Sequence, residues 1–538
     1  MRPFALLIAL LAGCALGPQD RFDGLGSHTR KVTTASPEAQ DYFNQGLAFL
    51  YAFNHDEAIR SFALAAQEDP ACAMAYWGIS VANGPHINNP PVDEAHAKAA
   101  WAALIKAQAN TTAASPVERA LIDALSKRYA DPQPEDRSGL DKAYADAMRQ
   151  VWKAHPQDAD VGALFAEALM DLRPWDLWTA DGKAQPGTPE ILQVLESVIA
   201  MSPKHPLALH LYIHAVEASP EPGKADEAAD RLRDLCPGLG HLVHMPSHID
   251  VKRGRWQEAI VANRKAISAD DSYVKRSAPP NFYRIYMAHN RHMLAFAAMN
   301  RGESKLATDT VREMLAAIPA DWLQAYAPVI DGFLATPYEM HLRFGRWDAM
   351  LAEPDPAAAF PIARALRLFA RGVAFAALGR LEEAKAEQAA FLKHRATVPK
   401  EAFFDNNTAA DLLAVAEKSL AGEILYRSGK VEEGFQSLRE AVKLEDALRY
   451  AEPPDWIQPV RHTLGAALMK SGRADEAEAV YREDLRRWPE NGWSLFGLAQ
   501  SLRAQGKDAR EIDARFRKVW ANADIKVTSS CLCLPASK

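Results

Sequence analysis

The sequence predicts an all-α protein, built as a solenoid of antiparallel helical hairpins with one less regular helical insert. Hydrophobic residues make up 48% of its 538 residues and recur at helical spacing, without the alternating runs that indicate half-buried strands. A second observation is a repeated marker, a glycine followed five residues later by an alanine. Because glycine suits the turn between two helices and a small alanine lets helices approach closely, each copy indicates one hairpin.

The glycine and alanine marker recurs from the middle of the chain to its C-terminal part. The clear pairs are Gly223 and Ala228, Gly254 and Ala259, Gly302 and Ala307, Gly379 and Ala384, and Gly472 and Ala477. Two looser copies are Gly429 with Gly434 and Gly345 with Met350. An irregular helical protein with occasional hairpins is the alternative, but this recurrence favours a continuous repeat array.

The segment 42–70 matches a known helical repeat. It carries an aromatic residue and Gly46 in its first predicted helix, then Ala58, an aromatic residue four positions later and a closing proline. This order is that of the tetratricopeptide repeat (TPR), whose unit is about 34 residues long. Near the other end of the chain, Gly465 and Ala477 repeat the spacing of Gly46 and Ala58. The predicted fold class is therefore a TPR-like α-solenoid.

These patterns divide the chain into consecutive parts. We predict a signal peptide (1–14), a flexible tether (15–36), N-terminal TPR hairpins (37–89), an irregular helical region (90–201), a His-rich TPR-like region (202–350), C-terminal TPR repeats (351–520) and a tail (521–538). The irregular region matches the repeat poorly, because the proline-containing segments 131–134 and 184–187 interrupt it. We expect it to be helical, with an aromatic loop at 173–178.

The N-terminus has the pattern of a secretory signal. Arg2 is followed by an apolar run from Phe4 to Leu11 and by the tetrapeptide Leu-Ala-Gly-Cys that ends at Cys14. This tetrapeptide resembles the lipobox of bacterial lipoproteins, which implies an acylated Cys14, a membrane anchor and a mature domain outside the cytoplasm, in the bacterial cell envelope. An ordinary signal peptide with a chance cysteine is the alternative.

The remaining four cysteines are too few for a disulfide framework in a chain of this size. Cys72 and Cys236 lie in helical patterns, which indicates buried thiols, with a long-range disulfide in an oxidising compartment as the alternative. Cys531 and Cys533 are close enough for a tail disulfide, for an incidental pair or for a soft-metal clamp.

The charge of the chain bears on its partners. A formal net charge of -7 provides no broad basic surface. Because sequence-independent binding of nucleic acid depends on clustered lysine and arginine, we expect no nucleic-acid partner.

Histidines are concentrated in one part of the chain. Of 16 histidines, seven lie between positions 210 and 292, in three clusters. The candidate ligands, including one glutamate, are His210, His214, Glu217, His241, His244, His248, His289 and His292. Within each cluster the spacings of three, four and seven residues return to nearly the same side of a helix.

The three clusters also share a register relative to the repeat marker. His210, His241 and His289 each precede the marker alanine of their hairpin by eighteen residues. In TPR proteins the first helices of the hairpins line a concave groove, so the resemblance implies that these side chains converge on one inner surface. Pro246 lies inside the second cluster, so that helix either begins near position 245 or bends there.

Converging imidazoles and a carboxylate favour a transition-metal site. Neutral nitrogen donors with one anionic oxygen suit Zn, Cu or Fe. The set exceeds four ligands, so either two metals bind or some members support the ligands from outside, as Tyr212, Tyr283, Tyr286 and Asp250 could. The alternatives are that the histidines hydrogen-bond a peptide in the groove or are satisfied core residues.

Four segments resemble motifs of a bacterial family of exported TPR lipoproteins. They are Arg-Pro-Trp-Asp-Leu-Trp (173–178), Tyr-Ile-His-Ala-Val-Glu (212–217), His-Leu-Val-His-Met-Pro-Ser-His-Ile (241–249) and Ala-His-Asn-Arg-His (288–292). The resemblance spans most of the mature chain. It implies the fold and the importance of these segments, but no reaction, because that family has no settled activity.

Two functions follow from these observations. The first is a membrane-tethered scaffold whose concave groove binds a peptide or protein partner and carries a metal site. The second is a metal-dependent enzyme, an oxidoreductase or a hydrolase, that uses the same groove as its active site. A closed site with four protein ligands would indicate a structural metal, and an open site with three ligands beside a cavity would indicate catalysis.

Overall fold

The computed structural model describes residues 20–277 and 281–534, which form 27 α-helices and one β-hairpin whose two strands have two residues each. Cys14 and the rest of the predicted signal peptide lie outside the described residues. The helices follow one another along the chain with short connections. This arrangement is the all-α, TPR-like solenoid that the sequence predicts.

The first fourteen helices extend to the end of the third histidine cluster. They are α1 (Pro37–Tyr51), α2 (His55–Glu68), α3 (Ala73–Ala82), α4 (Glu94–Ala109), α5 (Pro116–Leu125), α6 (Ser138–Ala154), α7 (Ala159–Met170), α8 (Thr188–Met201), α9 (Pro206–Glu217), α10 (Asp226–Leu232), α11 (Gly240–His244), α12 (Pro246–Lys252), α13 (Trp256–Val274) and α14 (Arg284–Asn300). A 3-10 helix at Pro222–Ala225 precedes α10.

The remaining helices form the C-terminal part. They are α15 (Ser304–Ala316), α16 (Ala320–Ala325), α17 (Ala327–Ile330), α18 (Thr336–Arg343), α19 (Trp347–Ala352), α20 (Pro361–Ala377), α21 (Leu381–Arg395), α22 (Ala409–Arg427), α23 (Val431–Asp446), α24 (Val460–Lys470), α25 (Ala474–Arg487), α26 (Gly492–Ala504) and α27 (Arg510–Val519). A 3-10 helix spans Gly332–Ala335, and β1 (Phe403–Phe404) pairs antiparallel with β2 (Asn407–Thr408).

The repeat marker corresponds to real turns. Gly302, Gly379 and Gly472 lie between paired helices with φ angles of 71°, 78° and 75°. Residues with a side chain rarely adopt this left-handed conformation, so glycine is the residue that turns the chain back at low cost. The marker therefore predicted the boundaries of these hairpins correctly.

Close packing of the two helices repeats at both ends of the chain. A Cβ atom on Gly46 would lie 2.6 Å from the ring of Phe62, and one on Gly465 would lie 2.5 Å from the ring of Tyr481. In both hairpins the aromatic ring of the second helix packs on the bare backbone of the first. This shared contact confirms the TPR-like packing that the sequence spacing predicts.

The C-terminal repeats pack against the His-rich helices. The indole Nε1 of Trp256 on α13 donates to the carbonyl oxygen of Pro489 at 3.0 Å. The indole Nε1 of Trp493 on α26 donates to the carbonyl oxygen of Met299 at 2.8 Å. Both indoles are buried. The solenoid thus turns back, so that its last hairpins cover part of α12–α14.

Residues 20–36 differ from the flexible tether that we expected for 15–36. The backbone N–H of Phe22 donates to Gln45 Oε1 at 3.0 Å, and Thr33 Oγ1 donates to Glu118 Oε2 at 2.6 Å. Arg30 forms an ion pair with Asp158 at 2.7 Å. The segment that we expected to be exposed instead binds side chains of α1 and α5 and the residue that precedes α7.

Region 90–201 is helical, and its loops fall where the sequence predicts them. Helices α4–α8 follow one another with the connections at 126–137 and 171–187, which contain the interruptions at 131–134 and 184–187 and the aromatic loop at 173–178. Over the described residues, no helix combines the length and apolar character needed to cross a bilayer.

The described cysteines fall into two classes. Cys72 and Cys236 are buried free thiols, as predicted. Cys531 and Cys533 form a disulfide, and both are buried under α24 and its neighbours. The disulfide excludes a soft-metal clamp at this pair.

Candidate metal centre

The predicted ligands come from the first helices of successive hairpins. Helix α9 carries His210, His214 and Glu217; α11 carries His241 and His244; α12 carries His248; and α14 carries His289 and His292. Every residue of α9 is buried, which is the pattern of an interior helix with no solvent face. Most of the cluster therefore lies inside the protein rather than on an open groove.

Pro246 divides the second His-rich helix into two short helices that remain joined by helical backbone. Helix α11 ends at His244 and α12 begins at Pro246, while Met245 between them keeps helical angles of φ -49° and ψ -39°. The chain therefore bends because proline lacks the N–H that would continue the hydrogen-bond ladder. As a result His244 and His248 stay on one side, with their Nε2 atoms 2.7 Å apart.

Six imidazoles form two adjacent groups of three. The first trio is His210, His214 and His241, and the second trio is His244, His248 and His289. Within each trio one ligand atom of each side chain lies within 4.8 Å of the others. The His210 and His241 Nε2 atoms are 3.1 Å apart, and the His244 and His289 Nε2 atoms are 3.0 Å apart. His289 is half-buried, so the second trio approaches the solvent on its side.

In four of the six imidazoles, His210, His214, His244 and His248, the Nδ1 atom lies against an oxygen acceptor, whereas His241 Nδ1 is buried without a partner. His210 Nδ1 lies 2.9 Å from the carbonyl oxygen of Tyr51. His244 Nδ1 lies 2.6 Å from Asn263 Oδ1, and the Asn263 amide nitrogen donates to Ala259 O, which fixes the orientation of the amide. Because a carbonyl oxygen only accepts, both Nδ1 atoms carry the hydrogen and both Nε2 atoms present a lone pair to the trio.

Glu217 joins the two trios. Its Oε1 lies 2.9 Å from His214 Nδ1, and its Oε2 lies 2.5 Å from His248 Nδ1. Burial alone would raise the pKa of Glu217, but the imidazoles of His248 and His214 lower it to about 2. Its contacts with these outer nitrogens are those of a carboxylate that orients two histidine ligands. Glu217, His214 and His248 also place one ligand atom each within 4.8 Å of one another, so the arrangement is compatible with the predicted role of Glu217 as a ligand.

The trios contain more lone pairs than the protein can satisfy. His244 Nε2 lies within hydrogen-bond distance of both His248 and His289, yet an imidazole nitrogen has a single lone pair and accepts one hydrogen bond. His214 Nε2 is buried and has no hydrogen-bond partner. Burial lowers the pKa well below its usual value for His210, His241, His244 and His289. Extra protons are therefore disfavoured, and a cation at each trio centre would satisfy these atoms.

The structure does not bring His292 to either trio. It lies one turn beyond His289 on α14, and its ring packs on Phe333 with ring centroids 5.4 Å apart. Burial lowers its pKa to about 4. A shared register ahead of the marker alanine was therefore not sufficient to predict which histidine of α14 joins the cluster.

Two of the four predicted supporting residues contact the cluster. The Tyr286 ring packs on the His241 ring with ring centroids 4.5 Å apart, and the Tyr283 hydroxyl accepts from the backbone N–H of His241 at 3.3 Å. Tyr212 instead donates to Glu196, and Asp250 pairs with Arg233. The last two residues face away from the trios.

A small pocket has one member of the first trio in its wall. Its lining includes Trp175 and Trp178 of the aromatic loop, Tyr450 from the C-terminal part, and His214. The Trp178 indole donates to the carbonyl oxygen of Ala215 at 2.8 Å, which fixes the loop against α9. The loop that resembles a family motif therefore forms a wall of the space beside a candidate ligand.

Sequence reasoning missed the residues that approach the cluster from distant segments. Glu452 is buried, and its Oε2 lies 3.9 Å from His248 Nδ1, while its Oε1 has no hydrogen-bond partner. Burial raises the pKa of Glu452 well above its usual value. Tyr51 and Asn263 were also missed. No spacing in the sequence relates these residues to the histidines, because tertiary packing alone brings them together.

A separate group, away from the trios, has the residue types of a metal site but already contains a positive charge. His28, Asp160 and His205 place ligand atoms within 4.8 Å of one another. Asp160 already accepts from the Tyr51 hydroxyl at 2.6 Å and pairs with Arg30 at 3.0 Å. Because the Arg30 guanidinium supplies the positive charge, this group is a satisfied polar network.

Comparison with known proteins adds little to this picture. No model of a known protein family matches the chain, and no curated protein matches it. Among solved structures, human IFIT1, as a dimer with PPP-AAAA, is 11% identical, with 89% of each chain covered and a TM-score of 0.34. Yeast Tom70 is 11% identical, with 90% of this chain and 91% of that chain covered and a TM-score of 0.31. The TPR domain of P58(IPK) is 14% identical, with 87% of this chain and 98% of that chain covered and a TM-score of 0.21.

Proposed function

We propose that the protein binds one transition-metal ion at each histidine trio and acts as a metal-dependent enzyme. The observation that carries the proposal is the arrangement of the imidazoles. Three Nε2 atoms converge in the second trio, and the opposite nitrogens of His244 and His248 bind Asn263 and Glu217. Ligand histidines in metalloproteins are held in this way by carboxylates and carbonyl groups.

The number of ligands favours catalysis over a structural role. Structural zinc sites close their coordination with four protein ligands, whereas catalytic sites have three and leave one position open. A metal held by three imidazoles supplies a Lewis acid that can activate water or bind an oxidisable substrate. Trp175, Trp178 and Tyr450 bound the pocket beside His214, so their rings would shape the substrate space and exclude bulk water.

Burial argues against the alternative in which these histidines hold a peptide in a concave groove. His210 and His244 are each 0% exposed, so a peptide on the surface would not reach them. A groove that binds peptides presents its binding groups at an accessible surface instead. The scaffold function, if present, would therefore use other residues of the solenoid.

We also propose that the protein is anchored by lipid at Cys14, with its helical body in the bacterial cell envelope. The support comes from Leu-Ala-Gly-Cys at 11–14 and from the Cys531–Cys533 disulfide. Disulfides persist in oxidising compartments and are rare in the cytosol of most organisms. The two observations are independent and favour the same location.

Elemental analysis of protein purified without an affinity tag tests the metal proposal. We expect about two transition-metal ions per chain, one for each trio, and we expect X-ray absorption to report histidine nitrogens at roughly 2.0–2.1 Å if the metal is zinc. A chain without stoichiometric metal would overturn the proposal. Metal that is fully coordinated by four protein ligands would leave the metal site intact but refute catalysis at it.

A further inference from the structure

A second pocket lies in the C-terminal part, away from both trios. Helices α18, α20 and α22 and the segment 456–463 surround it, and the Cys531–Cys533 disulfide also lines it. Its apolar wall is formed by Leu366, Phe369, Val373, Trp456 and Ile457. The cavity volume is about 40 Å³, which admits a small ligand and not a chain segment.

Two carboxyl groups line this apolar pocket without a compensating cation. Glu423 is 3% exposed, and its Oε2 has no hydrogen-bond partner. Glu339 lines the same pocket, and neither residue forms an ion pair within the described ranges. Burial raises the pKa of Glu423 to about 7 and that of Glu339 to about 8. Such groups are costly unless a partner joins them.

The nearest arginine does not fill this role. Arg427 lies one turn after Glu423 on α22, and its charge offsets part of the effect of burial on the Glu423 pKa. Its guanidinium, however, donates to the carbonyl oxygen of Cys533. Glu423 therefore remains available to a cation from outside.

Two further polar atoms of the pocket residues lack partners. Gln458 Oε1 and Trp456 Nε1 are buried and form no hydrogen bond within residues 20–277 and 281–534. The Trp456 side chain is also an aromatic face that can stabilise a cation. The polar groups of the pocket are thus mainly acceptors and anions set in an apolar wall.

We propose that this pocket binds a small apolar compound that carries a cationic amine. The ammonium group would pair with the carboxylates of Glu423 and Glu339, and Gln458 Oε1 would accept a further hydrogen bond from it. The alkyl or aryl part would pack on Phe369 and Trp456. An anionic ligand is disfavoured, because two carboxyl groups and no lysine or arginine line the pocket.

Calorimetric titration of the full chain with hexylamine, hexanol and hexanoate at neutral pH tests the proposal. These probes share one alkyl chain and differ in the head group. We expect one hexylamine to bind per chain and hexanol to bind at least about tenfold more weakly, because the alcohol cannot pair with a carboxylate. Hexanoate should not bind detectably. Hexanol or hexanoate binding as tightly as hexylamine would overturn the proposal.

Two variants and a matched control locate the bound amine. Glu423→Gln and, separately, Glu339→Gln should weaken hexylamine binding about tenfold or more and leave the weak binding of hexanol unchanged. Glu417→Gln removes one negative charge from the same helix but lies outside the pocket lining, so it should not change either affinity. If each folded pocket variant binds hexylamine like the control, the pocket does not hold the amine. The paired variants keep the test valid if one of them fails to fold.

Discussion

The Nε2 atoms of His244 and His248 lie 2.7 Å apart across the bend at Pro246, and both side chains are buried. Each imidazole is held at its other nitrogen, His244 by Asn263 and His248 by Glu217. Two nitrogens at this distance repel each other unless a proton or a metal ion lies between their lone pairs. Since His289 brings a third Nε2 to 3.0 Å from His244 Nε2, one proton between His244 and His248 cannot serve all three nitrogens, whereas one metal ion could.

Removal of one imidazole from the second trio should remove one metal. We expect His244→Ala to lower the metal content from about two ions to about one ion per chain, because two ligands hold a transition metal poorly. His292→Ala is the matched control, since His292 is also buried but lies outside the trios. Elemental analysis measures both proteins. Equal metal loss in the two variants would show that the loss reflects general damage to the fold.

Glu217 should affect both trios at once. In Glu217→Gln one carboxylate oxygen becomes an amide NH₂, which only donates. The glutamine side chain can therefore accept from His214 Nδ1 or from His248 Nδ1 but not from both. We expect the affinity for metal to fall roughly 10- to 100-fold at both sites. Competition with a chromogenic chelator measures the two affinities. A variant that keeps the wild-type affinity at either site would remove Glu217 from the support of that trio.

Metal should also stabilise the fold. A ligand that binds the folded state alone contributes about 2.7 kcal/mol per site when its free concentration is 100 times its Kd. We therefore expect the melting temperature to fall after chelation and to recover when metal is returned. Because histidine ligands must be unprotonated to bind, this stabilisation should be present at neutral pH and disappear as the pH falls. An unchanged melting temperature in the presence of chelator would contradict metal binding.

A buried network in the C-terminal hairpins predicts a different pH dependence. Asp484 accepts from His462 Nε2 at 2.9 Å and from Ser494 Oγ at 2.6 Å. Burial raises the pKa of Asp484, but the charge and hydrogen bond of His462 lower it by more, so the net shift is downward. A folded-state pKa below the unfolded value contributes stability above about pH 4, and that stability is lost as the pH falls through the folded pKa.

Asp484→Asn should therefore be most harmful at neutral pH. We expect a loss of roughly 3 kcal/mol in the free energy of unfolding there, because the variant leaves buried donors poorly paired. The difference from wild type should shrink in acid. Urea unfolding at neutral pH and in acid measures this difference, with the exposed Asp508→Asn as the control. A pH-independent difference would assign the effect to packing rather than charge.

The lipid anchor is open to a direct test. Cys14→Ser removes the sulfur that acylation requires, so the variant should move from the membrane fraction to the soluble fraction. Cys72→Ser changes a buried thiol of the helical body and should leave fractionation unchanged. If the Cys14 variant stays with the membranes, another segment holds the protein there.

The fold could be predicted further than the site. Gly302, Gly379 and Gly472 mark turns that glycine allows at low cost, so local physics places them in the sequence pattern. Helical spacing likewise identified six imidazoles that lie together. It could not predict Tyr51 or Asn263, whose contacts with the histidines depend on how distant helices pack. His292 was misplaced because register along the repeat does not show which side chains of α14 pack on other residues, as His292 packs on Phe333.

The attachment of residues 20–36 to the helical body limits how far a membrane anchor could let the protein travel. Asp20 is buried and accepts from Arg60, so only the chain from Cys14 to Asp20 would separate a lipid from the fixed structure. Six residue steps span at most about 20 Å when fully extended. A protein acylated at Cys14 would therefore lie close to the bilayer, with the N-terminal hairpins nearest the lipid head groups. Any partner of a protein anchored in this way would have to reach it at the membrane surface.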